Sequence, residues 1–196
     1  MRGYIMKTKR SDTVKNYAMM RQYFVYYKYE YQDWSQPVLS SNGTMGGSSF
    51  AVASSAGTAY SAFDNNGGSY TNYMNAGAWI SWYNPLPLKI SKVVLTASGA
   101  SYMPRAGTLE YSDNNSTWTN AVTWSNSSSQ NPFTINVDTS HHKYWRVTVT
   151  TKGTNSGNSD FSNIAITAKK TVEVQSTEGN HDFYKPQITA YTAKRS

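Results

Sequence analysis

From Tyr23 the chain alternates with a period of two. Tyr23, Val25, Tyr27, Tyr29 and Tyr31 fall on one side, and Phe24, Tyr26, Lys28, Glu30 and Gln32 on the other, which predicts a strand with aromatic side chains on both faces. The same period governs residues 143–151, where Trp145, Val147 and Val149 oppose Tyr144, Arg146, Thr148 and Thr150. One face of that strand belongs in a core and the other is half-exposed. Similar runs cover residues 88–96, 108–112, 133–137 and 161–167. Clusters of Gly, Ser and Asn separate them, residues 41–49 (SNGTMGGSS) being the first, and Asp113, Asn114 and Asn115 supply side chains that tolerate positive φ in a tight hairpin. Short strands with turn signals every ten or so residues predict an all-β chain folded as a β-sandwich. Near the N-terminus, Ser11, Asp12 and Thr13 are suited to capping a short helix with Val14, Tyr17 and Ala18 on one face. Val172, Val174 and residues 186–193 suggest further strand.

Composition narrows the functional classes. Aromatic residues make up 14% of the 196 positions and charged residues only 15%, a folded, uncharged-polar composition rather than a disordered one. The chain has no Cys, so disulfides, thiolate metal sites and cysteine nucleophiles are excluded, and only three His. No apolar run approaches the roughly 18 residues of a membrane-spanning helix. Lys7, Lys9, Arg10, Lys15 and Arg21 interrupt every stretch that could serve as the apolar region of a secretory signal.

The net charge of +7 raises nucleic acid as a partner. Its distribution lowers that expectation: residues 1–35 carry +4, residues 169–196 carry +2, and residues 36–168 only +1. The chain therefore divides into a basic, tyrosine-rich N-terminal arm (1–34), a nearly neutral β-sandwich (35–168) and a C-terminal extension (169–196). The arm's alternation suits addition of a strand to a neighbouring subunit; the competing reading is stacking on single-stranded nucleic acid.

Four ordered fragments carry a resemblance to a known family. Residues 59–64 (AYSAFD), 79–83 (WISWY), 109–119 (LEYSDNNSTWT) and 143–149 (KYWRVTV) resemble the discoidin, or coagulation-factor type C, domain, and within it the family 32 carbohydrate-binding modules. The resemblance spans roughly residues 35–168, with 161–167 in the place of the closing strand. It implies an antiparallel jelly-roll β-sandwich of eight strands whose ligands sit on loops at one end. Residues 34–47 (WSQPVLSSNGTMGG) also resemble a segment of phage structural proteins. A virion protein is released by lysis, which would account for an extracellular type of module without signal peptide or disulfides.

The family resemblance implies a structural calcium ion after the AFD turn, with Asp64 as its carboxylate and Asn66, Ser69 and Thr71 as further oxygen donors. Asn65 stands where the family has Gly, and Asn163 where a Glu ligand is expected; the alternative is that Asp64 only closes the turn. Sugar binding needs an aromatic face beside donors and acceptors that fix hydroxyl groups. The loop residues of those types are Tyr70, Tyr73, Tyr102, Arg105, Asn155 and Asn158, with Asp160 in the same polar stretch; the alternative is that such tyrosines merely cover the end of a sandwich. Trp79, Trp82, Trp118 and Trp145 are expected in the core, Arg146 in a structural ion pair, and His141 and His142 in a solvated turn. Glu110 and Asp113 are the one close pair of acids that glycoside hydrolysis could use, but a hairpin acid more naturally closes a turn. A Ser, His, Asp triad has no nucleophile-elbow glycines to support it.

These readings lead to a non-enzymatic phage virion protein, of the tail or of a capsid fibre or decoration. Its carbohydrate-binding domain would adhere to host-surface or environmental glycans, its arm would contact other virion proteins, and many copies would act together. The alternative is a purely structural decoration protein without a sugar site.

Overall fold

The computed structural model describes residues 6, 7 and 25–176. The helix cap expected at Ser11, Asp12 and Thr13 and the strand suggested over 186–193 lie outside them. Among the described residues nine strands occur in chain order: β1 (Met6–Lys7), β2 (Val25–Trp34), β3 (Ala51–Ser54), β4 (Trp79–Thr96), β5 (Ala106–Ser112), β6 (Thr119–Ser125), β7 (Phe133–Asn136), β8 (His142–Thr151) and β9 (Asn163–Ser176). A 3-10 turn covers Ala59–Ala62. Among the described residues no helix is long and apolar enough to cross a membrane. The chain divides into two compact units, Glu30–Val172 and Met1–Tyr29 with Glu173–Ser196. In the second, β1 pairs with the start of β2 through Met6↔Tyr26 and Lys7↔Val25.

The larger unit is an antiparallel β-sandwich, and β4 builds both of its sheets. The first half of β4 pairs with β3 (Val52↔Trp82) and with β8 (Trp79↔Thr148, Tyr83↔Tyr144). Its second half pairs with β9 (Thr96↔Asn163) and β7 (Val93↔Ile135). The register breaks between Tyr83 and Leu88, where the chain reads Asn84, Pro85, Leu86, Pro87. Proline has no N–H for a ladder, so two of them end the first pairing, and Asn84 Nδ2 donates to the Leu86 carbonyl at 2.7 Å within the corner. The first sheet therefore runs β3, β4, β8, β5, β6, and the second β7, β4, β9, with β2 beyond β9. The two runs expected at 79–83 and 88–96 are thus one bent strand, and the closing strand continues well past Thr167.

The core lies between the sheets. Ile80 and Trp82 of β4, Leu109 of β5, and Trp145, Val147 and Val149 of β8 face Leu88, Ile90, Val93 and Leu95 of β4 and Ile164 of β9, all fully buried. Trp82 and Trp145 are direct cross-strand partners; truncating either would cost about 3–5 kcal/mol. The cores expected for Trp79 and Trp118 are corrected. Both are half-buried and flank Arg146, whose Cζ lies 4.2 Å from the Trp118 ring centre and 6.0 Å from that of Trp79. Strand alternation explains Trp79: with Ile80 and Trp82 inward, it must point outward. Arg146 does form the expected structural pair, Nε donating to Glu110 Oε2 at 2.6 Å, while Thr148 Oγ1 donates to the same oxygen at 2.9 Å.

The histidines are not in a solvated turn. His142 is buried and stacks on Tyr111 at 3.7 Å, and His141 stacks on Tyr31 at 4.7 Å. Burial lowers the His141 pKa from 6.5, with Lys89 and His142 acting in the same direction.

Candidate functional site

Because β4 turns back at its corner, its first residue, Trp79, and its last, Thr96, lie at the same end of the sandwich. The loops preceding β4 and linking β4 to β5, β6 to β7 and β8 to β9 gather there. Every carbohydrate-contact residue expected from the sequence stands on these loops, and hydrogen bonds knit three of them together. Thr71 N donates to Phe161 O at 2.8 Å, Phe161 N to Thr71 O at 3.2 Å, and Met74 N to Ser159 O at 2.9 Å. Asn155 N donates to Ser101 O at 2.9 Å and Asp160 N to Tyr102 O at 3.3 Å. Gly153 lies in this seam: a Cβ there would stand 2.4 Å from the Ser101 carbonyl oxygen and 2.8 Å from that of Met103. Only a residue without a side chain lets the two loops approach so closely.

The rim is aromatic and wet. Tyr70, Tyr73 and Tyr102 are 43%, 56% and 37% exposed. Tyr73 has φ +65°, a left-handed conformation that is costly for a bulky residue and recurs where a side chain is held for function. Asn75, which the sequence reading did not single out, fixes the segment: its Nδ2 donates to Asn158 Oδ1 at 2.8 Å and its Oδ1 accepts from Ser159 N at 3.2 Å. Asn155 Oδ1 accepts from Gly157 N at 2.7 Å.

The charged groups at this end are already engaged. Arg105 Nη1 donates to the carbonyls of Asn126 and Ser127 at 3.3 and 3.0 Å, and Nη2 reaches Thr154 Oγ1 at 3.5 Å. Arg105 thus braces the loops around the site. Asp160 is buried and accepts from both the N–H and the hydroxyl of Ser98. Lys152 Nζ donates to the Gly157 carbonyl at 3.1 Å.

The residues expected to hold calcium converge only in part. Asp64 accepts from Asn66 N at 2.9 Å and from the Ser69 hydroxyl, which also reaches the Asn66 carbonyl at 3.0 Å. Three oxygens, from Asp64, Asn66 and Ser69, thus come together. Thr71 is buried, and its hydroxyl donates away from them to the Thr58 carbonyl at 2.8 Å. Asn65 and Asn163 line one cavity with Gln36 and Phe63. Among the described residues no three His, Cys, Asp or Glu side chains gather as a metal cluster.

Comparison with solved structures gives this architecture a precedent. The chain is similar to CpGH89CBM32-5 from Clostridium perfringens, in complex with GalNAc-β-1,3-galactose, at 13% identity and TM-score 0.50 over 60% of this chain and 94% of that one. It is similar to the CBM32 of AlyQ, in complex with 4,5-unsaturated mannuronic acid, at 16% identity and TM-score 0.51 over 59% and 92%. The fold is that of the family 32 carbohydrate-binding modules. A mutant of chitosan-binding module 1 from a chitosanase/glucanase of Paenibacillus sp. IK-5 shares it at 18% identity and TM-score 0.51 over 60% and 92%. No protein-family model matches the chain, and no curated protein sequence does. The identities are low enough that the likeness concerns the fold alone.

Proposed function

We propose that the chain is a carbohydrate-binding protein and that the loop end of its sandwich is the binding face. The observation that carries this reading is the seam of three hydrogen-bonded loops presenting Tyr70, Tyr73 and Tyr102 beside the amides of Asn155 and Asn158. Aromatic faces take the apolar side of a sugar ring, and amides and backbone groups take its hydroxyls. Residues 36–168 carry a net charge of only +1, so a neutral sugar suits this face without needing a charged partner. The neutral GalNAc-β-1,3-galactose named for one solved relative is in keeping with such a role, whereas the 4,5-unsaturated mannuronic acid named for another is acidic. Glu110 and Asp113 do not face each other as a hydrolytic pair: one holds Arg146 and the other holds His142.

An open rim of this kind gives weak single-site affinity, so adhesion rests on several copies acting together. The resemblance of residues 34–47 to phage structural proteins supports placing the chain in a virion, with the part of the basic arm that precedes β2 contacting other virion proteins, since β2 itself lies beside β9 in the chain's own sheet. Calcium would take the Asp64, Asn66 and Ser69 oxygens and water, and would stiffen the turn beside the site. The reading is tested by glycan-array binding of the multimerised chain and by mass spectrometry of purified particles. Binding without presence in particles would remove the virion assignment and leave the sugar site. Presence in particles without any glycan binding would favour the purely structural decoration role.

A further inference from the structure

At the opposite end of the sandwich, before β8 begins, Ser140, His142 and Asp113 form a chain of hydrogen bonds. Ser140 Oγ lies 2.8 Å from His142 Nε2, and His142 Nδ1 lies 3.1 and 3.2 Å from the two carboxylate oxygens of Asp113. A carboxylate can only accept, so Nδ1 carries a proton, and in the neutral form of the ring the Nε2 lone pair faces the serine hydroxyl. The imidazole is clamped in that pose. Tyr111 stacks on it at 3.7 Å with 13° between the planes, Trp145 meets it edge-on at 5.8 Å, and Trp145 Nε1 donates to the His142 carbonyl at 3.2 Å. His142 is buried while Ser140 is exposed.

A serine, an oriented imidazole and a carboxylate in this order are recognised by geometry and role, whatever their spacing in the chain. We propose that Ser140 is a nucleophile and that this end of the molecule hydrolyses esters of short acyl groups. Ser140 Oγ attacks the ester carbonyl as His142 Nε2 takes its proton. The tetrahedral intermediate collapses with cleavage of the ester C–O bond, and His142 returns that proton to the leaving alcohol. Water then attacks the acyl-serine, giving a proton to Nε2 and releasing the acid, and the proton returns to Ser140. The net reaction is ester plus water to acid plus alcohol. Ser140 stands on an open surface, which suits a short acyl group such as acetyl carried by a large alcohol. Asp113 acts as a positioning residue through the imidazole.

The inference does not depend on the sugar site and is tested on the full chain. A fluorophosphonate probe followed by peptide mapping should place one adduct on Ser140, and p-nitrophenyl acetate should be hydrolysed above background. Ser140→Ala, at an exposed position, should abolish both. Asp113→Asn should slow labelling about 10- to 100-fold at unchanged Tm, with partial recovery in Asp113→Glu. Absence of an adduct on Ser140 overturns the proposal, as does labelling as fast in Asp113→Asn as in the parent protein.

Discussion

Replacing Gly153 by Ala tests whether the seam between the β4–β5 and β8–β9 loops holds the binding face together. The added Cβ would lie 2.4 Å from the Ser101 carbonyl oxygen, 2.8 Å from that of Met103 and 3.0 Å from the Tyr102 carbonyl carbon, whereas ordinary contact begins at 3.4 Å. All three are backbone atoms, so the loop carrying Tyr102 must withdraw by about 1 Å, at an overpacking cost of about 1–3 kcal/mol. Reduced freedom of the unfolded chain returns about 0.4–1 kcal/mol. The net loss of about 1–2 kcal/mol corresponds to a Tm lower by roughly 3–6 °C. Moving Tyr102 and loosening the Asn155 N–H bond to Ser101 O should weaken glycan binding about tenfold, a further 1.4 kcal/mol. Gly67 is the internal control, since a Cβ there meets nothing within 4 Å; Gly67→Ala should stay within about 0.5 kcal/mol of the parent. Thermal melts and glycan titrations of both variants decide the matter. A Gly153→Ala protein that melts and binds like Gly67→Ala would refute the seam.

Glu110→Gln removes the charge that Arg146 Nε and Thr148 Oγ1 share and should lower stability by about 1–2 kcal/mol in urea denaturation without altering glycan affinity. The lowered pKa of His141 means that the unfolded chain binds its proton more readily. Stability should therefore be full at neutral pH and fall as pH drops below 6.5, the ordinary histidine value. In His141→Gln the Tm should depend less on pH between 7 and 5; an unchanged profile would show that His141 titrates alike in both states. If Asp64, Asn66 and Ser69 seat calcium with a Kd of about 1 mM, 10 mM calcium adds about 1.4 kcal/mol. The Tm should then rise by a few degrees in the parent and not in Asp64→Ala; no rise in the parent would leave Asp64 as a turn residue alone.

The alternation of residues 143–151 was enough to place β8, because its inward residues are uniformly large and apolar. The same rule applied to residues 79–83 puts Trp79 outside, and only its residue type argued for the core. The bend of β4 was less legible: Pro85 and Pro87 signal an end of pairing, but one strand serving two sheets depends on partners more than 50 residues away. The loop tyrosines were readable as wet aromatics, since they follow turn-rich stretches. What braces them was not. Asn75 meets Asn158 across 83 residues, and Asp160 meets Ser98 across 62, so neither pairing leaves a local pattern. The hairpin acid misled for the same reason: Asn114 Oδ1 caps the turn by accepting from Ser116 N and Thr117 N at 3.0 and 2.9 Å. Asp113 is thereby left for His142, 29 residues on.

The central claim is that the loop end binds neutral sugars, and a glycan array probed with the multimerised full chain tests it most directly, with Tyr73→Ala and Tyr102→Ala variants beside it. Each ring should contribute about 1 kcal/mol of stacking, so each variant should bind about fivefold more weakly while its Tm stays near that of the parent. Neutral glycans should be retained in preference to uronates. No binding by the folded, multimerised chain, or binding indifferent to both tyrosines, would contradict the account.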